Sequence, residues 1–279
     1  MASTTATSPA PGPAEPDAVF ESAPAPLSPL VVGFAYLGEI SILLGKALKA
    51  IVHRGIAVGD LLDQMYAIGI GTLPIAILTV FSSAAVITLY FADFLIQYGA
   101  GNLTGAVVAL ALGRELGPVL VGVVAAARAG SAIAAEIGTM KVTEQIDALR
   151  ALAVSPIQYL VVPRLIAAMI MVPLLCVVAD VIGLLGGYVV AVWQHVPPAS
   201  YSLSIKQFVD LRDFGLGIVK TLVFALIVAI VSCHQGLRTT GGATGVGRST
   251  TNAVVLSIVL IYISDFFLAY FMFGGHVNV

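Results

Sequence analysis

Two ionisable residues lie side by side within an apolar run of the chain. Arg114 and Glu115 occur in the segment LGRELGPVL, residues 112–120. Charges in hydrocarbon cost free energy, so such side chains usually face the interior of a helix bundle or a water-filled cavity. The pair predicts a polar site for part of a ligand, with a structural ion pair to other helices as the alternative. A guanidinium can hold a phosphate or carboxylate through two hydrogen bonds, so Arg114 would anchor an acidic group. Glu115 would accept from a hydroxyl or hold Arg114 in place.

Four other charged residues lie in or beside apolar segments. Arg128 and Glu136 are near the end of their run, where long side chains can snorkel toward water. Asp180 and Asp265 lie deeper, and we expect them to hydrogen-bond between helices.

The segment 143–152, TEQIDALRAL, is too polar to cross a membrane and too regular for a plain loop. Glu144 and Asp147 near its start and Arg150 near its end suit the dipole of a short helix, and Thr143 is a plausible N-cap. One stripe of this helix would be apolar, formed by Val142, Ile146, Leu149 and Ala153. The stripe could pack against the membrane or fit the groove of a partner protein, and the residues alone leave both roles open.

Other motifs carry less chemistry. The segment GATGVGRS, residues 242–249, differs from a P-loop at one residue, with Arg248 in place of lysine. It joins two apolar segments, however, instead of a strand and a helix. It therefore predicts a glycine-rich turn capped by Ser249 or Thr250. No serine or threonine accompanies a histidine and an acid in a catalytic pattern. The two cysteines lie in apolar runs and the four histidines are scattered, so we expect no metal site.

The composition indicates that the segments carrying these residues lie in a membrane. Of the 279 residues, 59% are hydrophobic and 10% are charged, whereas soluble proteins carry about 25% charged residues. The net charge of −2 gives no electrostatic footprint for nucleic acid. Residues 1–30 are rich in Ala, Pro, Ser and Thr, which predicts a disordered tail, and residues 31–279 would form one membrane domain.

The apolar pattern predicts one interfacial helix and five spans. Residues 39–54 are amphipathic, with lysines opposite an apolar face, as in a helix lying in the membrane interface; a first spanning helix is the alternative. Glycines and aspartates from Gly55 to Asp63 then break the pattern. Five segments long enough to cross about 30 Å of hydrocarbon follow, at residues 65–94, 103–135, 165–193, 214–235 and 254–273. Gly183 and Gly187 form a GxxxG pair that indicates close helix packing.

Lysine and arginine are distributed asymmetrically about these spans. One set of flanking segments holds most of them: Lys46, Lys49, Arg54, Lys141, Arg150, Arg164, Arg238 and Arg248. The opposite set holds only Lys206 and Arg212. Because positive charges favour the cytoplasmic side, the amino terminus and both basic loops are expected in the cytoplasm and the carboxyl terminus outside.

Several of these segments together resemble the MlaE/YrbE family of ABC-transporter permeases, which serve Mce-type lipid transport systems. The resemblance covers about residues 35–275 and rests on RELGPVL, AARAGSAIAAEIGTMKVTEQIDAL, the Ser-Pro, VVPR and DFFLAYFMFG. It implies an all-α integral membrane fold: an interfacial helix, five transmembrane helices and a short cytoplasmic coupling helix. The long amino-terminal tail is similar to actinobacterial YrbE proteins.

The resemblance also implies a function in the plasma (inner) membrane. The chain would be a non-catalytic permease subunit that binds no cofactor itself, with ATP and Mg used by a cytoplasmic ATPase dimer. A second permease subunit, as an A/B pair, and a hexamer of Mce (MlaD-like) proteins would complete the assembly. Lipid would be the substrate, with import as the expected direction. An integral-membrane lipid-modifying enzyme is the alternative, and it would need a His/Asp/Glu cluster near one interface.

The resemblance assigns two groups of residues. A lipid cavity would be bordered by Ile87, Leu95, Tyr98, Arg114 and Glu115. ATPase coupling would use Glu136, Lys141, Thr143, Glu144, Gln145, Asp147 and Leu149.

Overall fold

The computed structural model describes residues 29–53 and 58–274, and this part of the chain is helical throughout, joined by short turns. The tail predicted for residues 1–30 lies almost entirely outside the described residues, as do the last five residues and Gly55. Eleven α-helices are described: α1 Pro29–His53, α2 Val58–Met65, α3 Leu73–Gln97, α4 Thr104–Ala111, α5 Gly117–Ala125, α6 Ser131–Val142, α7 Gln145–Ala151, α8 Val162–Trp193, α9 Pro198–Phe208, α10 Leu211–Leu237 and α11 Gly242–Phe273. Wider π-helical turns interrupt some of them, at Tyr66–Ile70, Leu112–Leu116, Ala126–Gly130 and Ile157–Val161.

Five helical stretches are long and apolar enough to cross a membrane, which confirms the predicted all-α membrane fold. These spans are Val58–Gln97, Gly101–Val142, Ile157–Trp193, Leu211–Leu237 and Gly242–Phe273. The helices extend beyond the apolar segments seen in the sequence, mostly at the ends predicted to be cytoplasmic. The first span begins at Val58, although Asp60 and Asp63 had marked a break. Hydropathy registers the part of a helix that lies in lipid, whereas its backbone hydrogen bonds continue into water.

Helix α8 lies at the centre of the bundle and packs on α2, α3, α5 and α10. Its close approach to α3 depends on the predicted glycine pair. A Cβ atom at Gly183 would lie 2.9 Å from Val80, and one at Gly187 would lie 2.8 Å from the Thr88 hydroxyl. Only residues without a side chain fit at such distances, so the GxxxG prediction of close packing is confirmed.

Helix α1, which the sequence predicts to lie in the membrane interface, begins ten residues earlier than the predicted start at residue 39. Leu43 and Ala47 of its predicted apolar face are buried in the core, whereas Leu48 is exposed. Polar contacts hold α1 to the end of α10. Glu39 Oε2 lies 2.9 Å from His234 Nε2 and accepts from Arg238 Nη1 at 2.6 Å.

Tyr36 adds a third polar contact between α1 and α10. Its hydroxyl accepts a hydrogen bond from Gln235 Nε2 at 2.8 Å, and burial raises the pKa of Tyr36 above its usual value. Helix α1 is therefore anchored to the fourth span by side-chain bonds as well as by apolar packing.

The prediction of a turn at residues 242–249 was wrong, because this segment forms the first two turns of α11. The helix starts after Gly241, whose φ of 86° is easily adopted only by glycine. Ser249 is buried and its hydroxyl bonds that of Thr239 at 2.8 Å, so it ties α11 to the end of α10 instead of capping a helix. The glycines let the helix start pass close to the preceding residues, since a side chain at Gly245 would collide with the Thr240 carbonyl.

Candidate functional site

Arg114 and Glu115 lie in a π-helical turn, Leu112–Leu116, in the first half of the second span. The Arg114 side chain reaches the start of α10. Its Nε and Nη2 atoms donate to Asp213 Oδ1 at 2.9 and 2.8 Å. Asp213 is held in turn by the α10 N-terminus, where it forms a reciprocal capping pair with Asp210. The acidic partner of Arg114 is therefore fixed in position by the backbone of the fourth span.

Glu115 pairs with a lysine of the fourth span. Lys220 is fully buried, and its Nζ donates to Glu115 Oε2 at 2.7 Å and to Asp265 Oδ1 at 2.9 Å. Asp265 belongs to α11, so the lysine joins the second, fourth and fifth spans. The interhelical hydrogen bond predicted for Asp265 is therefore confirmed. The same bond was predicted for Asp180, but this buried residue accepts instead from Cys176 on its own helix.

We call Arg114, Glu115, Asp213, Lys220 and Asp265 the ion cluster. It holds two cations and three carboxylates, and the ring of Phe273 covers both cations. The ring centroid lies 5.0 Å from Arg114 Cζ and 5.5 Å from Lys220 Nζ, within the range of cation–π attraction. The side chains of Arg114 and Glu115 remain 40% and 42% exposed. The cluster thus pairs its own charges and still presents a polar edge at the surface of this chain.

This geometry bears on the two readings of the Arg114–Glu115 pair. Structural ion pairs with other spans are present, as the alternative required. Asp213 already occupies the Nε and Nη2 donors of Arg114. An acidic ligand group would therefore have to bind the remaining, exposed part of the guanidinium. Chemically, the cluster can bind and orient a polar group by hydrogen bonds and charge.

The predicted apolar wall lies on α3. Ile87 and Leu95 are half-buried there, and Tyr98 ends the helix with 74% of its surface exposed. The Tyr98 ring packs on Phe94, with centroids 4.7 Å apart. The ion contacts of Arg114 and Glu115 run instead to α10 and α11. A shared lipid cavity between α3 and the ion cluster stays a prediction.

The short helix predicted at residues 143–152 is present as α7, Gln145–Ala151, and its coupling role stays a prediction. Thr143 is not its N-cap. The Thr143 hydroxyl donates back to the Thr139 carbonyl at 2.8 Å and ends α6, and Glu144 adopts a left-handed φ of 61° at the start of α7. A threonine hydroxyl can bond the preceding helical turn as readily as the following one, and here the preceding turn wins.

Charged residues around α7 form a short network. Asp147 accepts from Lys141 Nζ at 3.3 Å and from Arg150 Nη1 at 2.9 Å. Glu136 on α6 pairs with Arg164 of α8 at 2.8 Å, and Arg164 is itself buried. Of the residues assigned to coupling, Lys141 and Asp147 are joined directly, whereas Glu136 connects α6 to the third span.

The apolar stripe of α7 is used within the chain. Ile146 is completely buried in the main core, and Leu149 packs partly against the same cluster. The opposite face, with Glu144 and Gln145, is exposed. The stripe thus holds α7 to the body of the chain, and a partner would meet the polar face.

Two members of the ion cluster were missed in the sequence. Lys220 lies in the apolar stretch IVKTLVF and satisfies the same criterion that singled out Arg114, a charge within a span. Asp213 lies at a span end beside Arg212 and resembles an ordinary loop acid. Its role follows only from the position of Arg114, which is 99 residues away in the chain.

Comparison with known proteins agrees with this architecture. Residues 61–271 match the family described as Permease MlaE. A probable ABC transporter permease protein of Synechocystis sp. is 44% identical over 247 residues, covering 88% of this chain and 94% of the relative. One from Rickettsia typhi is 43% identical, covering 81% of this chain and 88% of the relative.

A plant relative is more distant. The Arabidopsis thaliana protein TRIGALACTOSYLDIACYLGLYCEROL 1, chloroplastic, is 37% identical over 244 residues, covering 85% of this chain and 68% of the relative. The family match extends from α2 to the last turn of α11 and includes the ion cluster and α7. This multi-pass membrane chain therefore belongs to the MlaE permease family.

Proposed function

We propose that this chain is the membrane permease subunit of an Mce-type ABC transporter that moves lipid. Lipid would pass between the membrane and an Mce protein assembly, powered by a separate cytoplasmic ATPase. The observation that carries the proposal is α7: a polar helix with an exposed acidic face, held by Ile146 at the end of the second span in a chain of a permease family.

The ATPase would seat on the polar face of α7. Glu144 and Gln145 are exposed there, and Asp147 is bound to flanking cations. Because Ile146 and the Glu136–Arg164 pair join this segment to the core and to α8, a force on α7 would reach the transmembrane helices. ATP and Mg belong to the ATPase in this scheme. The basic flanking segments favour a cytoplasmic α7 and an external α9.

Lipid as the substrate is supported by two observations. One relative, the Arabidopsis thaliana protein, is named after a galactolipid. The ion cluster also offers a polar edge within an apolar span, which suits a molecule with a polar headgroup and an acyl or sterol body. The apolar part would lie against Ile87 and Leu95, with Tyr98, Arg114 and Glu115 near the headgroup. A second permease subunit and a hexamer of Mce proteins would complete the path.

The test is lipid copurification measured by mass spectrometry, together with ATP-dependent lipid transfer in reconstituted vesicles. Arg114→Ala should lower both while assembly with the ATPase survives, and Glu115→Gln should do less harm because it keeps shape and hydrogen bonding. Ile87→Trp should obstruct the cavity. Lys206→Ala, on the exposed face of α9, is the matched control.

Arg114→Ala also strips Asp213 of its partner, so the variant needs a companion. Arg114→Ala with Asp213→Asn removes the unpaired carboxylate and should still transport poorly if Arg114 binds the headgroup. Recovery of transport in the double variant would assign a structural role to the arginine. If Arg114→Ala and Ile87→Trp both assemble and carry lipid normally, the cavity lies elsewhere.

A further inference from the structure

The first span is not one continuous helix. Helix α2 and the π-helical turn Tyr66–Ile70 end at Gly71 and Thr72, and α3 begins at Leu73. Pro74 follows, which has no backbone N–H to donate to the carbonyl of Ile70. The Thr72 hydroxyl is buried there and has no hydrogen-bond partner among the described residues. Residues 71–74 thus interrupt the helical hydrogen bonding between two halves of the span, and we call this interruption the hinge.

The hinge also leaves the Ala67 carbonyl without its backbone donors. In a regular α- or π-helix the Ala67 oxygen would accept from the N–H of Gly71 or Thr72. Here Gly71 donates to Tyr66 O at 3.2 Å and Thr72 donates to Gly69 O at 3.0 Å. Such a carbonyl in a membrane span needs another donor.

Arg128 of the second span supplies that donor. Its Nη1 donates to Ala67 O at 3.0 Å. Its Nη2 lies against Gly71 so closely that a Cβ atom there would be 2.5 Å away. Its guanidinium therefore bonds a backbone carbonyl of the first span, whereas its position near the end of an apolar run had left it able to snorkel toward water. It reaches sideways into the hinge of the first span.

Arg128 is also part of the arm that carries α7. It belongs to the π-helical turn Ala126–Gly130, which runs directly into α6 and then α7. A rigid displacement of α6 would move the base of the Arg128 side chain with it. On the other side, Gly69 contacts Met171 of α8, which holds the cytoplasmic half of the first span in place.

We infer that Arg128 is a positioning residue that couples the α6–α7 arm to the hinge of the first span. Its guanidinium holds the two halves of that span at a defined angle, and movement of α7 changes the angle by moving the guanidinium. The role in transport rests on the proposed function, whereas the clamp on the hinge does not. Neither the family match nor the names of the relatives assigns a role to this arginine.

The clamp is tested by a distance measurement in the full-length chain. Spin labels at Leu62→Cys and Leu78→Cys, both exposed and on opposite sides of the hinge, would be about 24 Å apart along a straight helix. Double electron–electron resonance should give one narrow distance in a background lacking Cys176 and Cys233. Arg128→Ala should raise the population of other distances about tenfold, the effect of losing one charge-assisted hydrogen bond.

Two further variants separate the clamp from general damage. Arg128→Lys keeps a cationic donor and should keep the narrow distance. Gly71→Ala keeps the arginine but puts a methyl group 2.5 Å from its Nη2 and 2.7 Å from the Ala67 carbonyl oxygen, so it should disturb the same contact and broaden the distance like Arg128→Ala. Arg248→Ala, at an exposed site, is the control. A wild-type distance distribution in Arg128→Ala would overturn the clamp.

The role of Arg128 in transport is tested with the same variants assembled with the ATPase. Arg128→Ala should keep ATP hydrolysis and lower the rate of lipid transfer about tenfold, and Arg128→Lys should restore that rate. Wild-type transfer in Arg128→Ala would overturn the coupling role. Should the unaltered chain neither bind an ATPase nor move lipid, the proposed function fails, and the distance measurement still decides whether Arg128 clamps the hinge.

Discussion

Replacing Lys220 with methionine is the sharpest perturbation of the ion cluster. Lys220 is fully buried and makes two charge-assisted hydrogen bonds, at 2.7 Å to Glu115 and 2.9 Å to Asp265. Methionine fills similar space but leaves two carboxylates facing each other without a cation. Removing one partner of a buried ion pair costs about 3–5 kcal/mol. Because the Glu115 side chain is 42% exposed and not fully buried, we expect the lower end, about 3 kcal/mol.

The assay is unfolding of the purified chain in detergent, followed by a loss of helical circular dichroism and by reactivity of the buried Cys176 and Cys233. Lys220→Met should unfold several degrees lower than the parent. Adding Glu115→Gln and Asp265→Asn removes both stranded charges and should recover most of the loss. Lys206→Met, on the surface of α9, should change little.

Two results would refute this reasoning. One is a cost below about 1 kcal/mol for Lys220→Met, because that is the size of an exposed salt bridge. The other is a triple variant no more stable than the single one, since the penalty would then not come from unpaired carboxylates.

The remaining predictions concern topology, coupling and packing. In intact cells an impermeant maleimide should label a single cysteine at Ser200 but not one at Glu144, and labelling at 144 from outside would contradict the orientation. Glu144→Lys with Asp147→Lys should still insert but lose ATPase association or transport; wild-type behaviour in both would exclude α7 as the coupling contact. Gly187→Leu should cost about 1–3 kcal/mol or more in the unfolding assay, because a Cβ atom there already lies 2.8 Å from a neighbour. Gly215→Leu, with open space at the Cβ position, should cost far less, and equal losses would contradict the packing argument.

Composition and local pattern were sufficient for the secondary structure and the number of spans. A span needs a long apolar segment whatever its neighbours are, so five such segments predicted five crossings. The short polar segment around Asp147 was recognisable for the same reason, since its composition cannot cross a membrane. The helix ends were less predictable, because backbone hydrogen bonding continues past the lipid boundary, as at residues 242–249.

The partners of the buried charges were decided only by the tertiary structure. Arg114 and Glu115 are adjacent in the sequence, yet they bind Asp213 and Lys220, which lie 99 and 105 residues further on. Likewise, the sequence showed only that Arg128 could snorkel, whereas the structure pairs it with the Ala67 carbonyl, which lacks its backbone donors because the first span breaks at Gly71. A side chain in a membrane bundle turns toward whichever unsatisfied polar group packing brings within reach. That choice depends on which helix faces meet, and no local pattern of residues encodes it.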